Sequence, residues 1–473
     1  MTGLKAFVET LKGKPVAVFG MGITGLSVVK ALKKAGAKIV AGDDHPESVE
    51  TLKKLNIEIL GNIEDRDFSK FAFLLLSPGV PLTHPQPHPV VSAAQEAGIE
   101  VIGDVELWHR CYPDVKTIGI TGTNGKSTTT SLTHHILKEG GLKTVFGGNI
   151  GNPVFEMKVP AKEGVVVLEL SSFQIDLCPE FRPDIAILLN LTPDHIDRHG
   201  TMENYAAVKA RLLEGTKGER TLTGIIDVED TLTQKIYEAA LETGARRLLP
   251  VSTAKVLESG IYVQEGVLYD ATGEGILKVG DLEEIKSLKG LHNHQNAACA
   301  YAAARAAGMA PLDIFAAMQS YPGLQHRQFL VRTINGVAYV NDSKATNAAA
   351  SAMALACRQN IYWIVGGRKK ETGLDGLEIF ASNIKHAFLI GESSEDFAKW
   401  FETYGVDFTR CFTLENAILK AHAIAQENRG QPGGAGSVLL SPACASFDQY
   451  KNFEHRGDHF TDLVEKLTEE VPG

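Results

Sequence analysis

Residues Gly119 to Thr128 read Gly-Ile-Thr-Gly-Thr-Asn-Gly-Lys-Ser-Thr, a glycine-rich loop that closes on Lys126, Ser127 and Thr128. An apolar, β-prone run (115–120) precedes it and a helix-like run (129–137) follows. Strand, glycine loop and helix is the arrangement that cradles polyphosphates. Backbone N–H groups across Gly122, Thr123, Asn124 and Gly125 turn inward and the helix start adds partial positive charge. Lys126 supplies a full charge, and the Ser127 hydroxyl can ligate Mg²⁺. Ile120 stands where the usual phosphate loop has its first glycine, the glycines falling at Gly119 and Gly122 instead. The loop predicts binding of a nucleoside triphosphate and leaves its use open.

Two further clusters follow apolar, strand-like runs. Glu169-Leu-Ser171-Ser172-Phe173-Gln174 places an acid at the C-terminal end of a buried strand, where it faces a ligand crevice and suits Mg²⁺; a solvated strand-end carboxylate is the plain alternative. Asp194-His195-Ile196-Asp197-Arg198 concentrates charge just past another such strand, which marks His195 as a candidate ligand oriented by Asp194 or Asp197. Lys209 sits inside a predicted helix over 203–213, and nothing in its spacing distinguishes it. Asn293 and Asn296 share one face near the start of an alanine-rich helix, placed to hydrogen-bond a base or ribose or to cap the helix. Arg327, after His326, suits a phosphate clamp. Asp342, Lys344 and Thr346 lie between a predicted hairpin and a helix, a further anion-binding arrangement. The small residues of 441–448 permit close backbone approach to a ligand.

A second glycine turn competes for attention. Gly20-Met-Gly22-Ile23-Thr24-Gly25 is a G-x-G-x-x-G string after a strand, with Asp43 and Asp44 downstream where a ribose-binding acid is expected. Taken alone it reads as an NAD site, a site for another diphosphate such as a UDP-sugar, or a packing turn, because a glycine turn at a helix start binds any diphosphate.

The elements that must position these groups alternate along the chain. Strands are predicted over 16–19, 38–41, 71–76, 165–170, 185–189, 361–365, 387–390 and 437–440, and helices over 24–35, 203–213 and 296–307. Hairpins are predicted around Glu265-Gly266 and Asn335-Gly336, and loops over 81–89 and 431–436. No internal repeat is visible. The expectation is three consecutive α/β units with mainly parallel sheets, divided at 1–104, 105–323 and 324–473.

The bulk numbers agree. A chain of 473 residues with net charge −10 has material for several cores and lacks the basic excess of a nucleic-acid binder. The six cysteines form no metal-type spacing. No secretory signal and no membrane-length apolar run is present, so a soluble cytoplasmic protein is expected.

Taken in order, Thr121 to Thr128, Glu169-Leu-Ser-Ser, Asp194-His195-Ile-Asp197, Tyr205 to Lys209, His292-Asn293-x-x-Asn296, His326-Arg327 and Asn341-Asp342-Ser-Lys344-Ala-Thr346-Asn resemble the motif series of the Mur ligases, over about 16–460. Ser441 to Phe453 resembles the branch that adds D-glutamate to UDP-N-acetylmuramoyl-L-alanine. The resemblance implies a Rossmann-like UDP-binding domain, a central ATPase domain, and a C-terminal Rossmann-like domain that closes over ATP. It also implies ATP-driven amide formation by a monomer, with no nucleic-acid partner and no membrane insertion. Catalytic positions would be Lys126, His195 and Lys209, the last carrying a CO₂-derived carbamate. Two Mg²⁺ ions would be held by Ser127 and Glu169 and by His195 and Lys209. ATP contacts would come from 122–128, Asn293, Asn296, Arg327, Asp342 and Lys344. Gly22, Ile23, Thr24, Ser77, Gly79, Asn149, Ser171 and His195 would hold the UDP substrate, and Thr346, Lys370 (or Lys369), Ser446, Phe447 and Phe453 the D-glutamate. A sister ligase, such as another Mur-type or a folylpolyglutamate-type enzyme, shares the ATPase core and is the alternative.

Overall fold

The computed structural model describes residues 3–160, 163–215, 222–244, 246–368, 373–430 and 435–468. The chain is an α/β protein with three sheets, carried by two compact units, Met1–Tyr321 and Pro322–Gly473.

The first sheet contains β1 (Val16–Phe19), β2 (Ile39–Gly42), β3 (Glu58–Ile59), β4 (Leu74–Leu76) and β5 (Val101–Ile102), all parallel, in the order 3-2-1-4-5. The apolar run 71–76 forms a strand only over its last three residues. The order reverses between β1 and β4, so the connections leaving those two strands diverge and open a crevice at their C-terminal ends. The second sheet contains β6 (Lys116–Thr121), β7 (Thr144–Gly148), β8 (Val165–Glu169), β9 (Ile185–Leu188), β10 (Thr223–Asp227), β11 (Arg247–Ser252), β12 (Ile261–Gln264), β13 (Val267–Asp270) and β14 (Leu277–Asp281). Its order is 14-13-12-11-10-9-6-8-7, parallel through β12 and antiparallel beyond. β6 lies between β8 and β9, so all three discharge their C-terminal loops into one crevice. Burial on both faces explains the unbroken Val165–Leu168 and Ile185–Leu188 runs, which lack the alternation of a half-exposed strand.

The third sheet, in the second unit, contains β15 (Phe329–Ile334), β16 (Val337–Asn341), β17 (Ile361–Gly366), β18 (Ile384–Ile390), β19 (Phe408–Phe412) and β20 (Ser437–Leu440), in the order 15-16-20-17-18-19. Only the β15–β16 hairpin is antiparallel. It turns at Asn335 and Gly336, both at positive φ, as an Asn-Gly hairpin requires. Part of the expected loop 431–436, residues 431–434, lies outside the described residues.

The alanine-rich helix starts earlier than its composition suggests, spanning Leu291–Ala306 with Gly290 as N-cap. Asn293 and Asn296 therefore lie within its first two turns and neither caps it. The helix is buried against the helix Lys126–Glu139 and one face of the second sheet, where small alanines let it approach closely.

Candidate active site

The phosphate loop leaves β6 and enters the helix Lys126–Glu139 at Gly125, whose φ is 82°. A Cβ there would stand 2.1 Å from Asn296 Oδ1, so glycine is required both by conformation and by space. Asn296 is 2% exposed, and its Oδ1 accepts from Thr129 Oγ1 at 3.1 Å. Its Nδ2 donates to Asn293 Oδ1 at 3.3 Å. The pair thus buttresses the loop from beneath. On the other side, the segment after β9 runs along the loop like an extra strand. Thr123 N donates to Asn190 O at 2.9 Å, and Thr192 N donates to Thr123 Oγ1 at 3.0 Å. Asn124 N donates to Asn190 Oδ1 at 2.8 Å, and Asn190 Nδ2 returns a bond to Asn124 O at 3.2 Å. That same Nδ2 reaches Gln295 Oε1 at 2.8 Å. The carboxamide of Asn190 therefore imitates a peptide unit and pins the loop's apex. Lys126 Nζ donates to the carbonyls of Gly122 and Thr123, at 2.9 and 2.7 Å, which holds its charge over the loop. Ser127 is buried in the first turn.

Beside the loop lies a cavity of about 300 Å³ whose lining includes Lys126, Asn149, Ser171, Asp194, His195, Tyr205 and Lys209. Lys209, undistinguished by its spacing, is 1% exposed. Its Nζ donates to Thr121 Oγ1 and Gly122 O, at 3.1 and 3.0 Å, and stands 4.8 Å from the centre of the Tyr205 ring. Burial, seconded by the charge of Lys126, holds its pKa well below the usual lysine range. Tyr205, one helical turn earlier, is buried, and its hydroxyl lies 3.1 Å from Thr123 Oγ1. His195 takes a left-handed backbone conformation (φ 52°) at the start of a short helix. Its Nε2 is 3.4 Å from Asp194 Oδ2, and its ring lies 4.8 Å from that of Phe173. Asp194 is the acid that faces His195.

Glu169 ends β8, paired in register with Ile120 at the entrance to the phosphate loop. It is 2% exposed, one carboxylate oxygen accepting from Asn149 Nδ2 at 2.7 Å. The other, Oε2, is buried without a hydrogen-bond partner. An orphaned anionic oxygen beside a phosphate loop is a cost that a divalent cation would remove, so the donor set fits Mg²⁺. Among the described residues no group of three or more His, Cys, Asp or Glu side chains could hold a metal. Any cation here must therefore also draw on hydroxyls, substrate oxygens or a chemically altered side chain.

The Gly20–Gly25 turn forms part of a second cavity, of about 570 Å³, at the divergence of β1 and β4. Gly22, Ile23, Thr24, Ser77, Gly79 and Asn149 all line it, and Ile23 is 79% exposed. A Cβ at Gly25 would fall 1.9 Å from Gly20 O, which fixes the close helix–strand packing that this turn needs. Asp43 accepts from the backbone N–H groups of Met21 and His45 and so braces the turn, while Asp44 faces His88. Ser77 Oγ donates to Gly20 O at 2.6 Å. Ser171 caps the helix Ser172–Asp176 in a reciprocal box with Gln174, which lines this second cavity.

In the second unit, Asp342 is buried and accepts from Ser441 Oγ at 2.8 Å and from Gln328 N at 3.1 Å; burial raises its pKa to about 7. Lys344 Nζ lies 4.0 Å over the Phe453 ring, a cation–π contact. Ser446 Oγ is buried without a partner and Phe447 is 62% exposed. Thr346 and Arg327 are partly buried in the loops that flank Asp342. Lys369 and Lys370 lie outside the described residues. Arg456, which the sequence reading passed over, is 1% exposed and ties Ser343 to the Cys444 carbonyl with bonds of 2.9–3.1 Å. Tyr205 entered only as the start of the run to Lys209; its i, i+4 spacing from that lysine is the signal that could have found it. Asn190, Gln295 and Phe173 carried no comparable signal.

Two family models match the chain: the Mur ligase MurD-like N-terminal domain over residues 14–103 and the Mur ligase middle domain over 120–304. The chain is similar to the UDP-N-acetylmuramoylalanine–D-glutamate ligase of Caulobacter vibrioides, 44% identical over 98% of both chains. It is likewise similar to that of Brucella abortus, 46% identical over 98% of both. Among solved structures, UDP-N-acetylmuramate-alanine ligase MurC from Thermotoga maritima matches with a TM-score of 0.57 at 15% identity, over 95% of this chain and 99% of that one. MurF from Acinetobacter baumannii matches with a TM-score of 0.54 at 20% identity, over 76% and 79%.

Proposed function

The chain belongs to the Mur ligase family, and from that premise we propose that it joins D-glutamate to UDP-N-acetylmuramoyl-L-alanine at the expense of ATP, in peptidoglycan precursor synthesis. One observation in the fold carries the reading: the cavity at the diphosphate-type turn and the cavity at the phosphate loop share Pro78, Gly79 and Asn149 as a common wall. A nucleotide-linked substrate seated at the first turn can therefore present its far end beside the second.

The L-alanyl carboxylate attacks the γ-phosphorus of ATP, forming an acyl phosphate and releasing ADP. The amine of D-glutamate then attacks the acyl carbon, loses a proton, and expels inorganic phosphate. The first step brings two anions together, so charge neutralisation dominates it. Lys126 supplies a full positive charge at the transferring phosphoryl group, held in place by the loop that Asn190 and Asn296 brace. His195, aligned by Asp194 and Phe173, faces the same cavity. Mg²⁺, bound through Ser127 and Glu169 with a second ion at His195 and Lys209, would add Lewis-acid neutralisation. For Lys209 to serve it must become anionic: burial and the charge of Lys126 lower the pKa of its amine, which raises the neutral fraction. A neutral amine adds to CO₂ with release of one proton, giving a carbamate, and the nearby positive charge of Lys126 would favour that anion. Asn293, Asn296, Arg327, Asp342 and Lys344 complete the proposed ATP set. Thr346, Lys370, Ser446, Phe447 and Phe453 form the proposed D-glutamate set, in which the orphaned Ser446 hydroxyl is an open donor. The proposed domains are 1–104 for UDP, 105–323 for ATP and 324–473 for the amino acid. Among the described residues no helix is long and apolar enough to cross a membrane; the proposed reaction, which consumes ATP and a UDP-linked substrate, is a cytoplasmic one, and the proposed enzyme is a monomer.

Phosphate release measured with UDP-N-acetylmuramoyl-L-alanine and each amino acid in turn tests the reading. Release that depends on D-glutamate is expected; release with L-glutamate and a folate instead would assign the chain to a sister activity.

A further inference from the structure

Arg198 spends its donors in an unusual way. Its Nη1 donates to Gly79 O at 3.0 Å, and its Nη2 to Val80 O at 3.1 Å and to Pro78 O at 3.4 Å. These carbonyls belong to the segment after β4, far away in sequence. The guanidinium lies 4.6 Å over the Phe173 ring, whose centre is 4.8 Å from that of His195. Among the described residues no carboxylate makes an ion pair with it, and burial lowers its pKa. A cation placed on main-chain carbonyls in this way serves geometry.

The segment it grips is the shared wall. Ser77 fixes one end of that wall to the Gly20 turn, and Pro78 and Gly79 line both cavities. The Phe173 ring under the guanidinium lines the reacting cavity and touches His195. Nearby, the chain turn at Gly200 packs so closely on His84 that a Cβ would lie 2.6 Å from its ring, a second seam between the same two segments.

We propose that Arg198 is a positioning residue: it locks the Pro78–Val80 wall to Phe173 and His195, so that occupancy of the UDP pocket sets the place of the carboxylate at the reacting centre. The inference rests on the reaction proposed above. In-line attack on a phosphoryl group tolerates little displacement, and energy from a remote anchor helps the chemistry only through a rigid connection. Arg198→Ala loosens the wall and leaves both the phosphate loop and the Gly20 turn intact. Lysine carries the charge without the planar fork and bridges fewer carbonyls.

Steady-state kinetics with each substrate varied, together with calorimetric binding of UDP alone, provide the test. For Arg198→Ala, kcat/KM for the UDP substrate is expected to fall about 30-fold or more, given that misplacement by an ångström costs on the order of 10²-fold. The KM for ATP and the affinity for UDP alone should stay within about threefold of the parent, and Arg198→Lys should fall between. A silent Arg198→Ala overturns the proposal. So does an equal loss in ATP and UDP binding with a lowered Tm, which would mark a merely structural residue. Parent protein without D-glutamate-dependent phosphate release overturns the reaction itself and the inference with it, whereas active parent with silent variants overturns the inference alone.

Discussion

The molecule contains two glycine turns of the same kind, each at the head of a helix after an interior strand that is flanked on both sides by parallel partners, and they are used differently. At Gly20–Gly25 no lysine follows; the turn is braced by Ser77 and Asp43 and opens on a roomy cavity with an exposed Ile23 at its edge. At Gly122–Gly125 a lysine and a hydroxyl follow, and the loop is gripped on both sides by Asn190 and Asn296. The first suits a ligand that is held and kept intact. The second suits one whose terminal phosphoryl group must be transferred, because electrostatic preorganisation requires rigid, aimed charge. Glycine spacing alone does not separate the two roles; the groups packed against each turn do.

The largest effect that tests this contrast is expected from Lys126→Ala. Losing the full charge at the second turn should lower kcat by about 10³-fold or more, with binding of UDP alone unchanged by calorimetry. Lys209→Ala is expected to cost nearly as much and to be partly restored by added short-chain carboxylic acids, which can supply the missing anion. Because the amine reacts with CO₂ only when neutral, activity of the parent should decline toward acid pH, and added bicarbonate should shift that decline to lower pH; bicarbonate-independent activity throughout would remove the carbamate.

A smaller, crossed effect is expected from Gly25→Ala and Gly125→Ala. The first places a Cβ 1.9 Å from Gly20 O and should raise the KM for the UDP substrate about tenfold, leaving that for ATP nearly unchanged. The second places a Cβ 2.1 Å from Asn296 Oδ1 and should do the reverse. Equal changes in both constants for both variants would break the comparison. Asn190→Asp keeps the acceptor for Asn124 N and loses the two donations of Nδ2, so a rise of about fivefold in the KM for ATP is expected.

The smallest effect concerns Asp227, buried at the end of β10, whose pKa burial raises to about 7. A carboxyl whose folded pKa lies above its unfolded value makes the protein less stable as pH rises from the unfolded pKa to the folded one. Asp227→Asn removes that dependence, so its unfolding free energy relative to the parent, from denaturant titrations at each pH, should be higher at pH 8 than at pH 5 by about 1–3 kcal/mol. A difference independent of pH would show that the parent carboxyl does not titrate in this range.

How much of this was legible in the sequence depended on how local the cause was. The Gly20 and Gly122–Gly125 turns, the Asn335-Gly336 hairpin and the buried runs at 165–169 and 185–188 were readable because each follows from a few adjacent residues. The helix start at Leu291 was placed late, because Asn293 and Asn296 look like caps until the bonds they make inside the first two turns are known. Asp43 matched a ribose-binding spacing, yet it bonds to Met21 N–H and braces the turn.

By itself the sequence determined the strand–loop–helix units, the order of the motifs and, through that order, the family, since each rests on local backbone preference or on residue identity. The tertiary structure alone decided that Lys209 is the buried amine, that Asn190 and Asn296 grip one loop, that Glu169 carries an orphaned oxygen, and that Arg198 spans to Pro78–Val80. Those facts depend on strand order, 3-2-1-4-5 in one sheet and the 9-6-8 run of the other, which brings distant loops to one edge. Desolvation and pairing act on what is near in space, and nearness across those crevices is set by the sheets.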